Sequence, residues 1–197
     1  MKKILLVIFA VGIASFTSAQ VQFGIKAGVS LSNLNFSNIG LGDNYKSITD
    51  FNAGLLASFK LNRIFYIQPE INYSGQGSVV PLAPNAKFEV NTQYINVPVL
   101  FKYLHESGLF AETGPQVGFL TAANVTITDR SKYSIKSSSE PIDLSWAFGA
   151  GYKIPHMNLG MDARYNLGLT TMDKSTYSGT VKNSVFQIDL FYQFRIL

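Results

Sequence analysis

From residue 21 onward, apolar and polar side chains alternate with a period of two, and Gly, Asn, Ser and Pro break the alternation at intervals. Such alternation puts successive side chains on opposite faces of a strand, so runs of about 9 to 11 residues read as β segments able to cross a bilayer at a tilt. Eight segments emerge. In the first, Phe23, Ile25, Val29 and Leu31 oppose Gly24, Lys26, Gly28 and Ser30; in the second, Phe51, Leu55 and Phe59 oppose Asn52, Gly54 and Lys60. The third sets Ile67 and Ile71 against Gln68 and Glu70, and the fourth sets Val97, Val99 and Phe101 against Asn96, Pro98 and Lys102. The fifth carries Leu109, Val117 and Phe119 opposite Glu112 and Gln116, and the sixth carries Leu144, Trp146, Phe148 and Tyr152 opposite Asp143, Ser145 and Lys153. The seventh and eighth are the most regular: Leu159 to Leu169 against Asp162 and Arg164, and Phe186 to Ile196 against Asp189 and Arg195.

The fourth segment changes phase near Tyr94-Ile95, which predicts a β-bulge there, because one extra residue exchanges the two faces. Connections alternate in length, with brief turns at Asn62-Arg63, His105-Glu106-Ser107 and Pro155-His156 and longer loops near residues 33 to 49, 75 to 87, 121 to 141 and 171 to 183. Short turns on one side and longer loops on the other are the pattern of an outer-membrane barrel, with the turns and both termini periplasmic.

The segment before this alternation differs in kind. Met1-Lys2-Lys3, an apolar run from Ile4 to Ile13 and the small residues Ser15 to Ala19 have the order of a secretory signal, so residues 1–19 are expected to be removed and residues 20–197 to form one barrel domain. The apolar run is shorter than the roughly 18 residues of a spanning helix. Only 14% of the residues are charged while 47% are apolar, against about 25% charged in ordinary soluble domains. Much of the surface is therefore expected to face something other than water. The formal charge of +4, half of it from Lys2 and Lys3, excludes a nucleic-acid partner, and the absence of cysteine excludes disulfides and thiolate metal sites.

Alternation alone fits an apolar-out membrane barrel and an apolar-in soluble ligand-binding barrel equally. Size separates them, because an eight-stranded barrel is only wide enough to be filled by side chains. Phe, Tyr, Trp, Leu and Ile from every strand would overfill it, whereas the opposite phase mixes charges with glycines. The charged side chains on that phase are Lys26, Lys60, Glu70, Lys102, Glu112, Asp143, Lys153, Asp162, Arg164, Asp189 and Arg195. Six cations and five anions sharing one interior predict a salt-bridged, closed lumen.

Several stretches resemble one family. They are Phe23-Gly24-Ile25-Lys26-Ala27-Gly28-Val29-Ser30-Leu31-Ser32-Asn33-Leu34, Phe65-Tyr66-Ile67-Gln68-Pro69-Glu70-Ile71-Asn72-Tyr73-Ser74-Gly75-Gln76-Gly77 and Tyr94-Ile95-Asn96-Val97-Pro98-Val99-Leu100-Phe101-Lys102-Tyr103. With Gly114-Pro115-Gln116-Val117-Gly118 and Ala163-Arg164-Tyr165-Asn166-Leu167-Gly168-Leu169, they are similar to the PorT-like outer-membrane β-barrels. The resemblance implies a bacterial outer-membrane barrel and supplies no catalytic residues; the named PorT proteins are linked to a protein-secretion system.

No nucleophile elbow, phosphate-cradling glycine loop or His-Glu-x-x-His run is present, and the two histidines, His105 and His156, fall in separate predicted turns. The reading is an all-β, eight-stranded antiparallel transmembrane barrel that is not an enzyme, with no cofactor and no metal. Its expected partners are outer-membrane lipid, the barrel-assembly machinery during biogenesis, and proteins met through the extracellular loops or periplasmic turns. The alternatives are a component of a protein-secretion or transport assembly and a soluble ligand-binding barrel. Tyr73, Tyr103, Trp146, Tyr152, Tyr165 and Tyr192 are read as interfacial aromatics, and the C-terminal alternation through Tyr192 and Phe194 as the assembly signal.

Overall fold

The computed structural model describes residues 21–37, 46–83, 86–127, 131–171 and 180–194. Its strands are β1 (Val21–Ser37), β2 (Lys46–Lys60), β3 (Phe65–Ala83), β4 (Ala86–Leu104), β5 (Leu109–Ile127), β6 (Ser131–Ser134), β7 (Ile142–Lys153), β8 (Leu159–Gly168) and β9 (Thr180–Phe194). Each of the eight long strands pairs antiparallel with its neighbours, β9 pairs with β1, and β4 pairs with β5, so the sheet closes on itself. Closure removes every edge from the main sheet, which is what lets strands cross a layer with no water to satisfy their amides. The short β6 pairs only with β5 and stands outside the ring.

The apolar phase faces outward and the charged phase inward. Leu55 and Leu190 are 61% and 60% exposed, while Arg164 and Asp189 are 1% exposed. An apolar exterior enclosing polar side chains is the inverse of a soluble domain and suits a lipid surroundings. Trp146, on this outer face, still satisfies its indole: Nε1 donates to Thr113 Oγ1 at 2.8 Å.

The three predicted turns lie at one end. Asn62 Oδ1 accepts from Ile64 N and Phe65 N at 3.0 and 2.9 Å; Gly108, at φ 96°, donates to His105 O at 2.9 Å; Met157 N donates to Ile154 O at 3.1 Å. The other end departs from expectation. Residues 75 to 83 and 86, 87 and 121 to 127, read as loop, are strand. A 10-residue strand such as β8 is long enough for a tilted crossing, so the 19-residue β3, β4 and β5 project well past the bilayer. Above the lipid the outer face turns polar, which erased the alternation that identified the strands below.

The predicted bulge also lies elsewhere. β4 keeps one phase from Val90 to Lys102, with Tyr94 inside the barrel at 1% exposure. It is β5 that slips: Gln93 faces Ala122 and Tyr94 faces Leu120, leaving Thr121 as the extra residue. Thr121 Oγ1 donates to Gln93 O at 2.9 Å, and its own carbonyl accepts from Lys136 Nζ at 2.7 Å. A second irregularity interrupts the β2–β3 ladder between Ser47 and Asn52. There β1 reaches β3 directly: Ser30 Oγ and Ser32 Oγ donate to Gly75 O and Gly77 O, both at 3.0 Å, and Gly77 N donates to Ser32 Oγ at 2.7 Å.

Candidate functional site: the sealed lumen

Inward-facing positions of six strands bring seven charged side chains together at the centre of the barrel. They are Lys26 of β1, Glu70 of β3, Lys102 of β4, Glu112 of β5, Asp162 and Arg164 of β8, and Asp189 of β9, none more than 6% exposed. Arg164 is the hub. Its Nη1 and Nη2 donate to Glu70 Oε2 and Oε1 at 2.8 and 3.0 Å, while Nε and Nη2 donate to Glu112 Oε1 at 3.1 and 2.5 Å. A planar guanidinium with five donors can fork onto two carboxylates at once, which an ammonium cannot.

Glu70 is saturated by neutral donors as well, Gln68 Nε2 at 2.7 Å and Asn72 Nδ2 at 2.8 Å. Lys26 Nζ lies 2.8 Å from Asp189 Oδ2, 3.4 Å from Asp162 Oδ2 and 3.7 Å from Glu70 Oε2. Lys102 Nζ lies 3.3 Å from Glu112 Oε2 and donates to Gln68 Oε1 at 3.0 Å. In a low-dielectric interior, ionic groups are tolerated only with this degree of mutual satisfaction.

Apolar side chains cluster on both sides of this network, and at the turn end they come from four strands around the lumen. Toward the turn end, Leu56, Phe110 and Phe191 pack with Leu104; the two rings meet edge-on with centroids 5.9 Å apart, and Lys102 Nζ sits 3.8 Å above Phe110. Gly151 and Gly160 make this possible, because a Cβ at either would collide with the Phe110 or Phe191 ring respectively. Toward the loop end, Val90, Tyr94, Leu120, Ala123 and Val125 form the second cluster. The expectation of a lumen filled by polar and glycine positions alone is therefore corrected. Phe110, Tyr94 and Phe191 are aromatics on the polar phase of their strands, and that break in the alternation is the signal in the sequence that marks them as lumen-filling.

The expected eleven-residue charge network contracts accordingly. Lys60 and Lys153 stand at the turn end, half-buried; Lys153 Nζ donates to Gln193 Oε1 at 2.6 Å and Gln22 Oε1 at 3.1 Å. Asp143 lies toward the loop end, where it accepts from Thr170 Oγ1 at 2.9 Å. Arg195 falls outside the described residues. What remains at the centre is three cations with four carboxylates, not a near-even set of eleven. The excluded charges sit too far along the barrel axis, because inward positions on one strand are separated by two residues of rise.

Below the aromatic seal, the turn end opens into a cavity of about 360 Å³ lined by Arg63, Lys153, His105, Glu106, His156 and Asn158, among others. Among the described residues, no group of three or more His, Cys, Asp and Glu side chains is placed to hold a metal.

Residues 14–174 match the family model described as outer membrane protein β-barrel domain. No curated protein matches the chain. Among solved structures, the crystal structure of neisserial surface protein A superposes with a TM-score of 0.57 at 16% identity, covering 87% of this chain and 97% of that one. That of Ail, the attachment invasion locus protein of Yersinia pestis, superposes with a TM-score of 0.50 at 17% identity, covering 89% and 99%. At such identities the likeness is one of fold.

Proposed function

Given that the chain belongs to the outer membrane protein β-barrel domain family and is an outer-membrane β-barrel, we propose that it serves as a closed, non-enzymatic scaffold in that membrane. Its lumen carries no traffic, and its extracellular wall presents the surface for interaction. The observation that carries this reading is the seal: Arg164, itself 1% exposed, is clamped between Glu70 and Glu112, with an aromatic layer below and, above, Asn183 of β9 donating to Gln76 of β3 across the barrel. A conducting pore keeps a water path past its charges, whereas here every charged group at the centre is more than nine-tenths buried. The strands β3, β4 and β5 extend beyond the bilayer as a hydrogen-bonded sheet, which positions contacts more firmly than loops do.

Within the family, the motifs around Phe23, Phe65 and Tyr94 support a place among the PorT-like barrels, and Met1 to Ala19 support export with cleavage before Gln20. The test is reconstitution of the protein from isolated outer membranes, after its first residue has been determined, into planar bilayers. Heat-modifiable mobility with no steady conductance is expected, on a chain beginning at Gln20. A steady open channel would overturn the sealed-scaffold reading.

The second reading, a part of a secretion or transport assembly, is favoured by one feature, the open cavity at the periplasmic mouth with Arg63 and Lys153 on its wall. If that reading holds, replacing Arg63 and Glu106 by alanine blocks secretion of a cargo protein while the barrel still inserts.

A further inference from the structure

The central cluster does not balance. Lys26, Lys102 and Arg164 face Glu70, Glu112, Asp162 and Asp189, all of them more than nine-tenths buried, which leaves one carboxylate in excess. Burying an uncompensated charge costs several kcal/mol, and a site in that position takes up a counter-charge or a proton instead.

The excess can be located. Glu70 and Glu112 are both gripped by Arg164, and Lys102 adds to Glu112. Asp162 and Asp189 share the single ammonium of Lys26, at 3.4 and 2.8 Å, and Arg164 comes no nearer to Asp162 than 4.0 Å. The two aspartates are directly opposed on β8 and β9 and both point inward. Opposed residues carry their Cβ atoms about 4.5 to 5.5 Å apart, within range of one O–H···O bond between the carboxyl groups. Asp162 Oδ1 and Asp189 Oδ1 are buried and neither meets a hydrogen-bond donor. Asp189 Oδ1 lies over Gly28 of β1, and the two carboxylates together carry more acceptors than the Lys26 ammonium satisfies; one proton on the pair supplies the missing donor, as in other sites where paired carboxylates cannot both ionise.

We propose that Asp162 and Asp189 hold one proton between them, making the centre of the lumen a buried proton-binding site with no net charge. Every other ionisable group packed around the pair is accounted for: Lys26 from β1, Glu70 from β3, Glu112 with Lys102 from β5 and β4, and Arg164 from β8 itself. A metal ion is a poor occupant of the same place. Asp189 fits only because Gly28 has no side chain, a Cβ there being within collision distance of the carboxylate, and neither aspartate lines the cavity at the periplasmic mouth. The proton alone neutralises the charge without needing volume.

Infrared spectroscopy of the full barrel in lipid vesicles tests this. The expected result is a protonated-carboxyl carbonyl band at neutral pH, equivalent to one group per barrel, that moves on carbon-13 labelling of aspartate. It disappears in Asp162→Asn and in Asp189→Asn, each of which leaves three carboxylates for three cations. A spectrum without the band overturns the proposal, and so does a band that ignores the aspartate label or survives in both variants. A thermal stability that rises with sodium chloride, but not with choline chloride at equal ionic strength, also overturns it by identifying a metal occupant. The labelled wild-type protein decides the first point even if a variant does not fold.

Discussion

At the scale of the single residue, Arg164 holds more of the interior than any other side chain, because it alone satisfies two buried glutamates that stand on different strands. Arg164→Met is expected to lower stability by about 3 to 5 kcal/mol, since removing one member of a buried ionic group leaves the others charged and unpaired. Unfolding in urea, followed by the ratio of folded to unfolded bands in unboiled samples, measures the loss. Adding Glu70→Gln and Glu112→Gln to the same chain should restore most of it, because the cost lies in the stranded charges and not in the absent arginine. A loss that the triple variant deepens would mean that hydrogen bonds, not charge, hold the centre.

At the scale of the element, the bulge in β5 makes a prediction that ordinary strand logic would reverse. Deleting a residue from a strand moves everything beyond it to the opposite face. Thr121, however, is already the surplus residue: Leu120 and Ala123 point inward on either side of it, and Gln93 and Tyr94 of β4 are consecutive across from Ala122 and Leu120. Removing Thr121 therefore yields a continuous ladder with Leu120, Ala123 and Val125 still inside. That deletion is expected to insert and show heat-modifiable mobility, whereas deletion of Val117, in the regular part of the same strand, is expected to abolish both. Equal failure of the two would show that the bulge is required for the projecting wall to form.

At the scale of the whole molecule, closure depends on the two ends of the chain. β1 and β9 pair from Phe23 opposite Phe194 to Ser37 opposite Thr180, so the last strand supplies the seam that turns an open sheet into a barrel. Deleting residues 192–197 removes the seam at the turn end, where the Tyr192 and Phe194 rings also meet edge-on with centroids 5.3 Å apart. The truncated chain is expected to be absent from the outer membrane fraction and to be degraded in the periplasm. Finding it inserted and heat-modifiable would show that the remaining β1–β9 pairs, from Lys26 opposite Phe191 to Ser37 opposite Thr180, close the barrel by themselves.

The sequence by itself determined the two faces, the number of crossings and the three short turns. These depend on the period of a strand and on residues such as Asn62 and Gly108 that act within a few positions of themselves. It also separated lipid-facing from inward positions, since a barrel of this size cannot enclose the bulkier phase. It did not decide where β3, β4 and β5 end, because past the bilayer the outward positions of β4 and β5, such as Glu89, Asn91, Gln93, Asn124 and Thr126, turn polar while Val90, Leu120 and Val125 point inward, so the apolar-out alternation that marked the strands is lost. Nor did it decide which strand bears the bulge, for a phase difference belongs to a pair of strands and Tyr94 alone cannot reveal that β5 is the one with the extra residue. Only the tertiary structure decided which charges meet. Lys26 and Asp189 are on adjacent strands, but Arg164 of β8 reaches Glu70 of β3 across the barrel, and such contacts depend on curvature and stagger that no single strand encodes.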